Sequence, residues 1–571
     1  MIAMRMGNVS RVVMKWIASV RNSLAKAPEK WIVAGLSMLV MGVRTYLVSF
    51  DRVVWGDEPF YLWLGRNWLT GQGYSFTGYS DVHHTPLYPL LTGLLHLVTR
   101  SMELASSICY VLFGTLLVAP IYLTARRFYG KAVGYISILL LALWPALTAA
   151  VLRWGTLTEP PYYFFIYLGV YWAILAMEKD RGRYYAGAGA SFALAYLIRP
   201  EAIGHLVIIA GALVVVKLFE RRLFTRPVLL GFVAYVAGFL LFFMPYAYYV
   251  SLHTGSWMVT EKAGVTFVTC IGLSKGDTAA FDRATWGLDT TGEEVFFFSH
   301  ESYNVSMLDY VRQYPVEFLR LLYRNTWKFL GALFSVRLFP SFLVPFVALG
   351  LFGVPWDKVR AKRELIWLAS ALPVLGFILF FIQDRYIATL LPSLVVWVAK
   401  GLHVWGQWLA DTLPAMKERR RDPDESQGKS APLWSKLCVA LPLVLVLTFF
   451  ASRLPVTLQT TSSGSYRMAH KDVGLWLEDR VDRDTIIMSR YPAIAFHADT
   501  RWVPTPNAEI PEVLHYARHK GAEYFVVDER EVVHLRPQFE ALLQEETLPP
   551  GFEWVHVDDS EEERLVVVRV K

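Results

Sequence analysis

Two adjacent carboxylates, Asp57 and Glu58, stand in the stretch VVWGDEPFYLWLGRNWL, just after an apolar run long enough to cross a membrane. Ionisable groups at membrane depth are costly and usually have a function or a partner. One carboxylate there suits a general base, and a second suits positioning of an acceptor or tuning of that base. Tyr61, Trp63 and Trp68 follow, as in an aromatic belt at a membrane interface. A structural role serves Asp57 equally well, as the cap of a helix starting near Pro59. Farther on, HHTPLYPLL sets His83 and His84 ahead of a proline-initiated helix. Histidines together with Asp57 are ligand types for a divalent metal ion, but the spacing also fits solvated histidines at a loop end. Glu159 opens a helix in LTEPPYYFF, where the helix dipole alone accounts for an acid, and Arg153 is placed for an ion pair with it. LIRPEA puts Arg199 and Glu201 in a tight turn between apolar runs. QDRYIATLLPSL puts Asp384, Arg385 and Tyr386 at the start of another run. An arginine there suits a phosphate, gripped in its planar fork, and Lys262 in TEKAG is a weaker second cation. No single motif is specific. As a set they have the make-up of a site that needs both a base and stabilisation of an anion.

The elements that must position these residues are membrane helices. The chain of 571 residues is 54% hydrophobic, with a mean hydropathy of +0.35. Several runs reach the roughly 20 residues that span a bilayer. The expected spans are 31–50, 104–125, 132–152, 160–177, 184–198, 202–218, 228–250, 327–354, 365–382, 387–409 and 433–450. Residues 86–98 form too short a run to cross and are expected to lie at the outer surface. With that assignment ARRFYGK, EKDRGR, ERRLFTR, WDKVRAKRE and KERRRDPDESQGKS share one side, which the excess of Lys and Arg makes cytoplasmic. Residues 1–30 read as a basic cytoplasmic interfacial helix rather than a cleaved signal, and 411–432 as a cytoplasmic loop. The outer side of a cell (inner) membrane then collects the loops 51–103 and 251–325, the candidate residues and the C-terminus.

Charge separates a second domain. Residues 455–571 carry 21 acidic and 13 basic side chains, a net of −8, against +7 for the whole chain, so residues 1–454 carry +15. The excess positive charge belongs to cytoplasmic loops and does not point to nucleic acid. In the tail HKDVGLWLEDR and IPEVLHYARHKG have helical patterns, while DTIIMSR, AEYFVVDE and RLVVVRV have strand patterns. The expectation is a mainly α, polytopic bundle over 31–452 with a small external α/β domain over 455–571. Three cysteines, Cys109, Cys270 and Cys438, allow no disulfide framework and no cysteine metal site.

The stretches DEPFYLWLGRNWLTGQGY, HHTPLYPLL, ARRFYGKAVGYISILLLALWPALTAAVLRWGTLTEPPYYFF, LAYLIRPEA and RYIATLLPSL resemble, in order and spacing, the C-type (GT-C) membrane glycosyltransferases. The resemblance is to the family 39 group, related to protein O-mannosyltransferases and the lipid A aminoarabinose transferase, and covers about 31–409. It implies transfer of a sugar from a polyprenyl-phosphate carrier to a lipid, glycan or protein acceptor. It also implies a catalytic acid at Asp57, with Glu58 beside it, and a carrier-binding arginine–tyrosine pair at Arg385 and Tyr386. Glu159 joins the expected catalytic group, and Arg199 and Lys262 the phosphate group. Tyr61, His83, His84, Arg153, Glu201 and Asp384 are expected against substrate. His83 and His84 replace an acidic–basic pair of the aminoarabinose enzymes, so that activity is not implied. The rival readings are a lipid-linked sugar transporter or flippase, and an O-antigen ligase-like transferase.

Overall fold

The computed structural model describes residues 28–76, 80–255, 257, 266–267, 271, 276–299, 301–302, 307–412, 433–460, 466–560 and 563–571. The interfacial helix expected ahead of Trp31, the charged loop 417–430 and Lys262 lie outside the described residues.

Among the described residues seven helices are long and apolar enough to cross a membrane. They are Glu29–Val48, Met102–Tyr129, Glu159–Lys179, Ala202–Phe219, Arg226–Thr254, Asp384–Leu409 and Ala440–Leu458. The other four expected spans also fall on helical segments, but shorter or broken ones. Gly182–Tyr196 has 15 residues. Lys131–Leu143 stops before Pro145, whose ring cannot continue the hydrogen-bond ladder, and 3-10 turns over Pro145–Leu147 and Ala149–Arg153 follow. The run 327–354 splits into Pro315–Leu333 and Val344–Phe352 around Pro340, and Lys358–Ala369 passes into a 3-10 stretch at Pro373. The protein is therefore a polytopic helical bundle in which proline sets the breaks.

Two spans are more enclosed than the others. Glu159–Lys179 and Asp384–Leu409 each have 72% of their apolar window buried, against 17–22% for Glu29–Val48, Arg226–Thr254 and Ala440–Leu458, whose exposed Met, Leu and Phe side chains suit lipid. The first residue of one central span is Glu159, and the second residue of the other is Arg385. At the opposite end of the bundle the basic connectors meet. Glu178 takes Arg127 and, at 2.8 Å, Arg363; Glu220 takes Lys217 at 2.9 Å and Lys362 at 2.5 Å; Asp180 takes Lys217 at 2.7 Å. Four connectors expected on one side thus meet in two ion-pair clusters.

The C-terminal domain is a five-stranded sheet in the order β2-β1-β3-β5-β4, formed by β1 (Ile486–Ser489), β2 (Arg501–Pro504), β3 (Tyr524–Asp528), β4 (Phe552–Ser560) and β5 (Glu563–Val570). β1 pairs in parallel with β2 and β3, while β5 pairs antiparallel with β3 and β4. The three expected strands are β1, β3 and β5, and the two expected helices are Tyr466–Glu478 and Ile510–Lys520. β2 and β4 were missing from the expectation: β2 is only four residues long, and polar residues break the apolar pattern of β4.

This domain is packed on the first long loop. Val54, Phe60, Leu62 and Trp63 share one apolar core with Ala469, Val473, Leu477, Ile487 and Trp502. The second long loop docks through a buried carboxylate. Asp282 takes Arg490 at 2.7 Å, Arg536 at 2.8 Å and the Asn507 amide at 2.9 Å. Burial opposes charge on Asp282, but the two arginines outweigh it and hold its pKa below the usual value. Its contribution to stability is therefore present above the ordinary carboxylate pKa and is lost as pH falls through the lowered one. Replacing Asp282 by Asn strips the buried Arg536 of its anion and leaves Arg490 only Glu531. Thermal unfolding should show a loss of about 3–5 kcal/mol, read as an earlier melting of the C-terminal domain.

Candidate active site

Asp57 sits between two glycine turns. Gly56 has φ +64° and Gly155 φ +74°, both in the left-handed region that disfavours a side chain. They also touch backbone to backbone: a Cβ on Gly56 would come within 2.9 Å of the Gly155 carbonyl oxygen, and one on Gly155 within 2.8 Å of that of Trp55. The Glu58 N–H donates to the Gly155 carbonyl at 2.9 Å. The WGDE and WGT turns are thereby locked together, and the helix Glu58–Leu69 leaves that lock with Pro59 in its first turn.

Asp57 occupies the N-cap position of this helix, but its side chain makes no capping hydrogen bond. The expected cap is corrected: the residue has αR geometry (φ −83°, ψ −8°), which turns the carboxylate away from the N–H groups of the first turn. It points instead toward Arg385, Oδ2 to Nη2 3.8 Å, with the Asp57 side chain 36% exposed and that of Arg385 16%. Arg385 also lies over the Tyr386 ring at 5.0 Å and donates to its hydroxyl at 3.2 Å.

Glu58 has a different role from its neighbour. It is buried in a two-pronged ion pair with Arg52 at 2.8 and 2.9 Å, and Arg52 also donates to Ser106 at 2.9 Å. Both of its oxygens are taken by one guanidinium, which braces the loop. Glu159 is also enclosed: it accepts from Thr156 at 2.7 and 2.9 Å and pairs with Arg199 at 3.0 Å. The expected partner Arg153 is elsewhere, where its carbonyl accepts from Arg467 and it lines a small pocket with Trp55 and Arg467. Arg199 reaches Glu201 at 3.2 Å and stacks over Tyr162 and Tyr386, so it is held in place between two acids and two rings.

Tyr61 marks where these groups converge. Its hydroxyl is pushed up in pKa by burial first and by Asp57 next, and it also faces the charges of Arg199, Glu201 and Arg385. Asp57, Tyr61, Arg199, Glu201, Arg385 and Tyr386 thus lie close together, with Glu159 paired to Arg199. Asp384 is not part of this group and faces the charge of Arg337.

The two histidines do not join Asp57 as metal ligands. His84 is buried with Nδ1 3.0 Å from Asp81 Oδ2, and its ring meets Tyr61 edge-on at 5.1 Å. His83 stacks on Phe297 of the second long loop at 5.1 Å. Among the described residues no group of three ligating side chains forms around Asp57. His83 and His84 instead tie the loop together, and Tyr249 completes the tie by donating to the Asp81 carbonyl at 3.0 Å.

Sequence reasoning missed Arg52, Asp81 and Thr156, which hold Glu58, His84 and Glu159. The one signal available was the repeated Trp-Gly at 55–56 and 154–155, which marks the two turns that meet.

Residues 83–249 match the family model of dolichyl-phosphate-mannose-protein mannosyltransferases. This stretch holds the HHTP, TEP and RPEA motifs and is shorter than the 31–409 expected. No curated protein matches the chain. Solved structures match it almost end to end. An Archaeoglobus fulgidus oligosaccharyltransferase in complex with zinc and sulfate superimposes with a TM-score of 0.55 and 14% identity, covering 92% of this chain and 71% of its own. ArnT from Cupriavidus metallidurans bound to undecaprenyl phosphate gives 0.50 and 14%, covering 95% and 98%. AglB from Archaeoglobus fulgidus with an inhibitory peptide and a dolichol-phosphate gives 0.50 and 13%, covering 92% and 72%. At these identities the likeness is one of fold, and the family match adds the relationship. The chain has the fold of these membrane glycosyltransferases and, over residues 83–249, a family resemblance to the mannosyltransferases.

The adjacent acids have separable roles. Glu58→Gln strands Arg52 without its anion and should cost about 3–5 kcal/mol. Asp57→Asn removes a partly exposed carboxylate and should leave the melting temperature near that of the parent. Differential scanning fluorimetry of the two variants in detergent checks the contrast.

Proposed function

We propose that the protein transfers a sugar from a polyprenyl-phosphate carrier to a hydroxyl or amine acceptor on the external face of the membrane, with Asp57 as general base. The observation that carries this reading is the Asp57–Arg385 pair, 3.8 Å apart at the mouth of the bundle, one partly open and the other largely enclosed. Neighbours in fold support the donor class: one was solved with undecaprenyl phosphate and another with dolichol-phosphate.

The step is a single displacement. The acceptor oxygen attacks the anomeric carbon, and the bond from that carbon to the carrier phosphate breaks, its electron pair leaving with the phosphate. The acceptor proton passes to Asp57. Arg385, with a planar fork and no other carboxylate on it, offsets the charge that grows on the leaving phosphate. Before the donor arrives Asp57 is its anion; the phosphate takes that place and leaves Asp57 turned to the acceptor. Arg199, already held by Glu159 and Glu201, adds a fixed positive charge and keeps Tyr386 stacked. Attack opposite the leaving phosphate inverts the anomeric centre.

Two features favour an enzyme over a transporter or flippase. The unshared charge lies at one end of the bundle, and the other end is closed by the Glu178, Glu220 and Asp180 ion pairs. A transporter places its polar site near the midplane. Asp57→Asn should lower turnover at least about a hundredfold while carrier binding is retained or tightened, measured with a radiolabelled polyprenyl-phosphate sugar. Near-parental turnover would overturn the assignment.

A further inference from the structure

The C-terminal domain contains a second group of ionisable side chains that the transfer reaction does not use. His470 comes from the helix Tyr466–Glu478, Asp528 from the end of β3 and Glu563 from the start of β5. All three are buried, and their ligating atoms lie within 4.8 Å of one another. His470 Nε2 is 2.9 Å from Asp528 Oδ2 and 3.6 Å from Glu563 Oε2.

We propose that His470, Asp528 and Glu563 form a divalent-cation site, of the zinc class, that fastens the C-terminal domain together. Ligands at the usual zinc bond lengths sit about 3.4 Å apart in a tetrahedron, close to the separations found here. One imidazole with two carboxylates suits zinc or manganese better than the all-oxygen shells of magnesium and calcium. Three protein ligands leave a position for water.

The surroundings orient the ligands. Asp528 Oδ1 accepts the N–H groups of Arg530 and Glu531 at 2.9 and 3.2 Å, which fixes the carboxylate with Oδ2 turned to His470. A small cavity bordered by His470, Asp528, Tyr491 and Glu531 gives access.

Burial disfavours the imidazolium, yet hydrogen bonds and charge from Asp528 and Glu563 outweigh it and raise His470 to about 9. Burial, with the nearby Asp528, raises Glu563 as well.

The placement gives the site a consequence. His470 meets the Trp55 ring edge-on at 5.1 Å, and Tyr491 lies against the same ring at 4.4 Å. One residue farther along, Lys471 donates to Asp51 at 2.5 Å and to the Arg52 carbonyl at 3.2 Å. A cation here would stiffen the helix that grips the turn carrying Asp57.

The test uses the full chain in detergent, stripped with a chelator, dialysed and titrated with zinc chloride. The expected result is about one tightly held zinc per chain by elemental analysis, with a rise in melting temperature. Glu563→Gln keeps the size and removes the charge, and His470→Gln removes the imidazole; each should weaken uptake at least about tenfold. If one variant fails to fold, the other decides. A parental protein that takes up no zinc overturns the proposal. So does a folded variant that binds zinc as the parent does.

Discussion

A guanidinium enclosed at the mouth of a membrane bundle needs an anion, and Arg385 has the carboxylate of Asp57 at 3.8 Å. Much of the surrounding structure serves to make that meeting possible. Arg385 lies at the start of one central span and Glu159 at the start of the other, so each is fixed by a long, well-buried helix. Asp57 has no such support of its own. It is aimed by a turn that must be clamped from outside: by Gly155, by the Arg52–Glu58 pair and by the C-terminal domain packed on Phe60 and Trp63.

That division explains why the site can be both rigid and open. The acids that stabilise the loop are buried and paired, and in a low-dielectric setting such pairs are costly to break. Asp57 meets its arginine at 3.8 Å and stays partly exposed. An arginine facing a partly exposed carboxylate is poised to exchange that carboxylate for a phosphate.

The bundle was legible in the sequence because lipid imposes a simple rule: apolar runs must be helical, and basic connectors gather on one side. All eleven expected runs land on helical segments, and the four basic connectors do meet. What the apolar pattern did not reveal is where helices break, since Pro145, Pro340 and Pro373 lie inside runs that look continuous by hydropathy. In the candidate site, Asp57, Arg199 and Arg385 stood out in the sequence because unusual charges at span ends are few, and the structure places them near one another. Glu58 was misjudged because adjacency in sequence says nothing about which acid is paired, and Arg52 lies within the preceding loop without any motif. The capping role of Asp57 failed for a related reason: the position was right, but the backbone angle that turns its side chain is set by contact with Gly155, a hundred residues away.

The most direct measurement is a double-mutant cycle on binding of polyprenyl phosphate, using Asp57→Asn, Arg385→Gln and the pair. If Asp57 holds Arg385 until the phosphate arrives, removing Asp57 should favour phosphate binding more when Arg385 is present than when it is glutamine. The coupling should fall at about 0.5–3 kcal/mol. Strictly additive effects would mean that the two residues do not share one site, and would contradict the account.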